Sequence, residues 1–198
     1  MNKTLCSAGL LVLGTLLLPA QIPSNLVVEG LPAIPASLRE EAGRYLEFRG
    51  AGFNSWHPTK RELLIGTRFC NTAQLHYVKM PGGARKQLTF GKEPVHGGTI
   101  QPKDGNYIVF AQDTGGGEFY QLHRFDFADG RVTLLTDGKS RNTGARFARS
   151  GKWTAYTSTR RTGKDSDIWL MNPEAPKRNR LLVKVAGGGW GVADWSHD

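Results

Sequence analysis

Few residues in this chain have the types and spacing that chemistry needs, and each group can be held against the reaction it would serve. A nucleophilic serine of the α/β-hydrolase kind lies in Gly-x-Ser-x-Gly, where a strained strand-to-helix turn holds the hydroxyl clear of the backbone. The nearest approach is Gly138-Lys139-Ser140-Arg141-Asn142, with Asn142 where the second glycine belongs. That segment also falls in a loop between repeats rather than after a buried strand. Gly138-Lys139-Ser140 resembles the end of a phosphate-binding loop, but Thr133 stands where its first glycine is required. His57, His76, His96, His123 and His197 share no ligand-like spacing on one element. Asp165 and Asp167 lack an acidic cluster around them and read as a solvated loop. The reading is therefore of a chain with no catalytic residue, no cofactor and no metal of its own.

What the chain does have is a repeat. An aromatic or aliphatic residue followed by a polar turn recurs at Trp56, Ile100, Phe147 and Trp195, in steps of 44, 47 and 48 residues. Gln74-Leu75-His76 returns 47 residues later as Gln121-Leu122-His123, and Leu88-Thr89 returns as Leu135-Thr136 at the same interval. A period of 40 to 50 residues carrying short strands is the signature of propeller blades. His76 and His123 thus stand at equivalent positions in successive units, which explains them better than metal binding.

Turn residues divide each unit into four strands. They run over 52–56, 62–67, 74–78 and 85–88 in the first, 95–100, 107–112, 121–125 and 131–134 in the second, and 143–148, 153–157, 168–171 and 180–185 in the third. Pro81-Gly82-Gly83, Asp104-Gly105, Asp129-Gly130 and Ser150-Gly151 supply the tight turns. The fold class expected is all-β, an incomplete propeller of about three four-stranded antiparallel blades. The blades fall at about 49–90, 94–137 and 142–186, with the start of the next at 190–198. Phe110, Tyr156 and Trp169 read as packing between blades. A ring of about seven such blades needs on the order of 300 residues or more, so the sequence reads as the front part of a larger protein. In isolation it is expected to be poorly soluble or only partly folded.

Ahead of the repeats, Lys3 followed by the apolar run Leu5–Leu18 and Pro19-Ala20 reads as an export signal over residues 1–20. The run is too short for a comfortable membrane span, so cleavage ahead of Gln21 is expected, with an uncleaved anchor as the alternative because Leu18 is large for the third position before the cut. Cleavage removes Cys6 and leaves Cys70 without an intrachain partner, as a buried small hydrophobe or an inert loop thiol. Residues 21–48 form a proline-punctuated linker and one short helix, for which Ser37 and Glu40 have capping-box spacing. The net charge of +9 comes from basic residues spread along the chain without a recognition motif, which argues against nucleic acid as partner.

Ser150-Gly151-Lys152-Trp153-Thr154-Ala155-Tyr156-Thr157-Ser158-Thr159-Arg160, followed by Asp167-Ile168-Trp169-Leu170-Met171, resembles the repeat of TolB-like propellers. In that repeat a Trp-Ser-Pro-Asp-Gly turn leads into one strand and an Ile-Tyr-x-Met strand follows. Trp195-Ser196-His197-Asp198 is the same turn with histidine in the proline position, while Phe147-Ala148-Arg149-Ser150 departs further and Gln101-Pro102-Lys103-Asp104-Gly105 carries an extra residue. Three stretches are similar, more narrowly, to the amino-terminal propeller of exported bacterial members of the prolyl oligopeptidase family: Ala73–Phe90, Glu118–Leu122 and Leu134–Asn142. The resemblance runs from about Leu31 to Asp198. It implies a propeller that limits access to an α/β-hydrolase domain with a Ser-His-Asp triad and so favours short peptides. No catalytic residue of that family carries over onto this chain. The alternative is a stand-alone TolB-like propeller that binds proteins of the cell envelope without chemistry. Either implies an exported protein, periplasmic or extracellular.

One site follows from propeller geometry. The loops between second and third strands share a face with the loops that link blades, and here they carry Arg68, Lys139, Arg141, Arg160, Arg161 and Lys164. These could form a basic rim that meets a partner's acidic surface. Replacing Arg160 and Arg161 with serine is expected to change partner binding and leave thermal stability nearly untouched.

Overall fold

The computed structural model describes residues 26–32 and 34–196. Its chain divides into two units, Met1–Glu47 and Phe48–Asp198. The expected export signal lies outside the described residues. No helix among the described residues is long and apolar enough to cross a membrane. The first unit contributes helix α1, Ala36–Leu46. It begins one residue before Ser37, at a Pro35 cap whose side chain makes no capping bond. The capping box expected of Ser37 and Glu40 is therefore not formed, because proline with its preset φ starts the helix instead.

The second unit is three four-stranded antiparallel sheets, each paired in chain order. The first is β1 (Gly52–Trp56), β2 (Leu63–Thr67), β3 (Gln74–Val78) and β4 (Arg85–Gln87); the second is β5 (Val95–Ile100), β6 (Tyr107–Gln112), β7 (Gln121–Asp126) and β8 (Val132–Leu134). The third is β9 (Asn142–Phe147), β10 (Thr154–Ser158), β11 (Asp167–Met171) and β12 (Arg180–Val183). Every strand expected from turn spacing is present, with ends moved by two residues at most.

Alternation along the strands explains how the sheets stack. Tyr107-Ile108-Val109-Phe110 is apolar throughout because successive side chains point to opposite faces and both faces are covered. Ile108 and Phe110, with Val95, Ile100 and Phe125, pack on Leu64, Leu75, Tyr77 and Leu88 of the first sheet. Tyr107 and Val109, with Leu122 and Leu135, pack on Tyr156 and Met171 of the third, flanked by Phe147 and Trp169. Phe110, Tyr156 and Trp169 thus do pack between sheets.

The repeated Leu-Thr pair also has a physical reason. Thr89 Oγ1 accepts from the Leu75 amide at 3.0 Å, and Thr136 Oγ1 accepts from the Leu122 amide at 3.1 Å. Each hydroxyl closes the end of a fourth strand onto its third, where the backbone ladder stops.

A second repeated device fixes one sheet against the next. Gln101 Oε1 accepts from the amides of Lys103, Asp104 and Gly105 at 3.0, 2.6 and 3.0 Å, which folds its own turn, and its Nε2 donates to the Gly151 carbonyl at 3.4 Å. Gly151 (φ +70°) has a bare Cα lying against that carboxamide; a Cβ there would overlap it. One blade earlier, His57 accepts from the Thr59 amide through Nδ1 at 3.2 Å, and its ring lies against the bare Cα of Gly105 (φ +71°).

Burial holds the pKa of His57, His76 and His123 below the ordinary histidine value. His76 is fully buried; its Nδ1–H donates to the Gln74 carbonyl and its Nε2 has no hydrogen-bond partner among the described residues, so a second ring proton would be buried unpaired. A depressed folded pKa means that the unfolded chain binds protons the folded one refuses. Stability is thus complete above about pH 6.5, the unfolded value, and falls as pH drops below it. Urea midpoints measured at pH 7.5 and 5.5 should be lower at 5.5. His76→Gln should flatten that dependence, and an identical slope in the variant would assign it to other groups.

Candidate functional site

The loops that follow β2, β6 and β10 meet the loops between sheets and form one continuous belt. Thr72 Oγ1 donates to the Lys92 carbonyl at 3.2 Å, and the Val95 amide donates to the Ala73 carbonyl at 2.9 Å. Gln112 Nε2 donates to the Glu93 carbonyl at 3.0 Å, and the Asn142 amide to the Tyr120 carbonyl at 3.0 Å. The Thr159 amide donates to the Arg141 carbonyl at 3.1 Å, which carries the belt into the third sheet.

The belt is held from beneath by the first residue of each third strand. Gln74 Nε2 reaches the carbonyls of Gly91 and Glu93 at 3.3 and 3.0 Å. Gln121 reaches the Ser140 carbonyl at 2.7 Å and accepts from the Gly138 amide at 2.9 Å. Asp167, at the same place in the third sheet, accepts from the Val185 amide at 3.0 Å. Sequence periodicity marked the two glutamines but missed their role and missed Asp167, which differs in type and falls one residue off the period.

Two readings need correction here. Asp167 is not in a solvated loop: it has no exposed surface, and Arg161 bonds it at 2.7 and 2.9 Å. Those bonds hold its carboxyl below the usual range, against the opposing effect of burial. Arg161 also reaches Asp165 and the Val185 carbonyl, each at 3.0 Å. Its guanidinium is thus committed to fixing the 159–167 loop onto the segment after β12. Arg161→Ser strips a buried carboxylate of its partner, so the melting temperature should drop by several degrees rather than hold steady. A melt unchanged in the variant would show the pair to be dispensable.

The other rim residues differ in how far they are committed. Arg160 donates to the Tyr156 hydroxyl and to Ser158 Oγ at 3.3 Å, and its guanidinium lies 4.3 Å from the Trp169 ring centroid. Arg68 is half-buried and reaches the Phe48 carbonyl at 3.5 Å. Arg141 meets Glu118 at 3.6 Å with about half its side chain in water. Lys139 and Lys164 are exposed. Phe90 and Phe119 also stand exposed on the belt.

Ser140 is no nucleophile in this setting. Its hydroxyl donates to Asp137 Oδ2 at 2.6 Å and its amide to Oδ1 at 3.1 Å, so it caps a turn. Burial pushes the Asp137 carboxyl up, but these bonds, the Lys139 amide and Arg160 outweigh it and leave the carboxyl below its ordinary value. Asn142, in the place of the second glycine, is buried and donates to the carbonyls of Tyr120 and Ser140. Cys70 is an exposed free thiol in the loop after β2, which selects the loop-thiol alternative. Among the described residues no group of three or more His, Cys, Asp or Glu side chains could hold a metal ion. What remains is a surface that can bind, built from loops that backbone and buried amides hold in place.

Neither a protein-family model nor a curated protein sequence matches the chain. Solved structures do. A TolB-type protein from Agrobacterium tumefaciens superposes with a TM-score of 0.56 at 18% identity, over 70% of this chain and 51% of that one. TolB from Acinetobacter baumannii gives 0.53 at 20% identity, over 68% and 33%. Porphyromonas gingivalis dipeptidyl peptidase 4 gives 0.55 at 13% identity, over 68% and 18%. The chain spans about half the length of the first of these and a smaller share of the other two. At such identities the likeness is one of fold, and it identifies the three stacked sheets as blades of a TolB-like β-propeller.

Proposed function

We propose that this chain is the propeller part of an exported, periplasmic or extracellular serine peptidase of the prolyl oligopeptidase family. In this reading it governs which substrates reach an α/β-hydrolase domain and admits short peptides. The reading rests on the peptidase-like stretches, which fall on third and fourth strands and on the link between the second and third blades. Ala73–Phe90 carries β3, β4 and the belt residue Phe90; Glu118–Leu122 enters β7; Leu134–Asn142 forms the link to the third blade, where Asp137, Ser140 and Asn142 are bonded together. The peptidase from P. gingivalis fits the blades as well as the TolB structures do, which is compatible with this reading. Of the rim positions, the exposed Lys139, Arg141 and Lys164 are left to meet a partner, either the hydrolase domain or an acidic protein surface.

A second reading, a propeller that binds envelope proteins without chemistry, is favoured by the two TolB likenesses. The product of the intact gene separates the two. Treatment with a fluorophosphonate probe should label a serine beyond Asp198, within a Gly-x-Ser-x-Gly elbow, and the labelled protein should lose cleavage of short peptides. A gene product with neither elbow nor labelling would leave the binding reading.

A further inference from the structure

From the charges at the strand ends opposite the belt we infer a docking surface for the anionic face of a lipid bilayer. The turns joining first to second strands (57–62, 101–106, 148–153) and third to fourth strands (79–84, 127–131, 172–179) gather at those ends. They touch from blade to blade. Gln101 and Tyr107 both donate to the Gly151 carbonyl at 3.4 Å, and the Phe127 amide donates to the Asn106 carbonyl at 3.1 Å. The Phe127 ring centroid lies 5.0 Å from that of Tyr77, and Arg124 donates to the Pro173 carbonyl at 2.9 Å. The turns therefore form one surface, separate from the rim.

That surface is strongly cationic. It presents Lys60, Arg61 and Lys79 from the first blade, Lys103 from the second, and Lys177 and Arg178 from the third. All six are exposed, and none is in an ion pair among the described residues. Of the carboxylates in the same turns, Glu62 accepts from the Tyr77 hydroxyl at 2.5 Å and Asp129 pairs with Arg131 at 3.3 Å, which leaves Asp104 and Glu174. On the belt, by contrast, Arg141 and Arg161 are paired with carboxylates. Cations without a local counter-charge project their field outward, over about 10 Å at moderate salt.

Three features favour a bilayer over other anionic partners. The cations do not repeat with the blades: two are adjacent in the first inner turn, one stands in the second, and Arg149 and Lys152 are split by Ser150-Gly151 in the third. A duplex or a folded protein offers anions at fixed places, whereas lipid headgroups diffuse to whatever spacing is presented. None of these turns exposes an aromatic ring on which nucleic-acid bases could stack. Met80 stands 62% exposed beside Lys79, at the Pro81-Gly82-Gly83 turn. An apolar side chain among cations suits the boundary between headgroups and acyl chains.

The test is cosedimentation of the intact gene product with vesicles of phosphatidylcholine containing about one third phosphatidylglycerol. Binding is expected to these and not to pure phosphatidylcholine, and it should fall steeply between about 0.05 and 0.5 M salt. Each cation at such a surface is worth about fivefold in partitioning. Lys60→Gln with Arg61→Gln and Lys79→Gln should thus weaken binding about a hundredfold, and Lys177→Gln with Arg178→Gln about twentyfold. Lys92→Gln with Lys184→Gln makes the second variant's charge change on the belt, and should leave binding within about twofold. Met80→Ser should weaken it severalfold and leave the salt dependence as it was. Equal binding to both kinds of vesicle, or a belt variant that loses as much as its counterpart, would overturn the assignment. So would a short DNA duplex or polyglutamate that binds where the vesicles do not, which gives the face to nucleic acid or to an acidic protein. None of these outcomes depends on whether the parent protein is a peptidase.

Discussion

Gly151→Ala should cost the protein about 2–5 kcal/mol, a large share of the stability of an ordinary domain. Two effects combine. At φ +70° any side chain is strained by about 1–2 kcal/mol relative to glycine. In addition the new methyl group would overlap the Gln101 carboxamide, whose Cδ lies 2.9 Å from the Cβ position, and would press on Lys103 Cβ at 3.2 Å. A free glutamine would swing aside. This one is buried and its oxygen is held by three amides, so it stays, and overpacking of this kind costs about 1–3 kcal/mol. Urea denaturation should show a lower midpoint at an unchanged slope. Gly130→Ala is the control, because φ there is +73° but nothing lies within 4 Å of the Cβ position. It should show the strain alone. Equal losses at the two positions would refute the contact between blades. Combining Gly151→Ala with Gln101→Ala should cost less than the sum, as expected of residues in contact.

Tyr156→Ala should destabilise by about 3–5 kcal/mol, the range for removing a large buried aromatic side chain. Tyr156 has no exposed surface and belongs to the core between the second and third blades, together with Tyr107, Leu122 and Met171. It also accepts from the Arg160 guanidinium, while burial pushes its own hydroxyl pKa up to about 12. Tyr156→Phe keeps the ring and removes the oxygen, so it should cost about 1.5–3 kcal/mol, the worth of a hydrogen bond to a charged group. The difference between the two variants measures packing. If alanine and phenylalanine cost the same, the ring contributes nothing beyond its hydroxyl and the core has been misread. Loss of Tyr156 should also free Arg160 from its fixed position on Trp169, and indole fluorescence should report that change.

The blades were legible in the sequence because their signals are local. Asp-Gly and Ser-Gly turns set the strand ends, and the 47-residue spacing of Gln74 and Gln121 tied one unit to the next. What stayed hidden depends on partners distant in the chain. The pairing of Arg161 with Asp167 looked like a run of loop charges, since charge alone does not tell which member is buried. Its acid stands one place off the glutamine period, and an aspartate does the work there that a carboxamide does twice before. The Gln101–Gly151 contact joins residues 50 apart, and nothing in either local pattern pointed to it. Helix α1 was found but its start was misplaced, because Ser37 and Glu40 fit a capping pattern that Pro35 pre-empted.

The glycine contacts also bear on how such a gene can change length. Both interfaces use one arrangement, in which a polar side chain of one turn lies over a bare Cα of the next: His57 over Gly105, then Gln101 over Gly151. Because side chain and socket recur in phase, unequal crossing-over that excised one whole unit would set His57 opposite Gly151. An imidazole would then lie over a socket that already receives a carboxamide of comparable reach. A crossover out of phase would instead set a side chain where a bare Cα is required, and the junction would not close. Recombination among these repeats is thereby steered toward adding or losing complete blades.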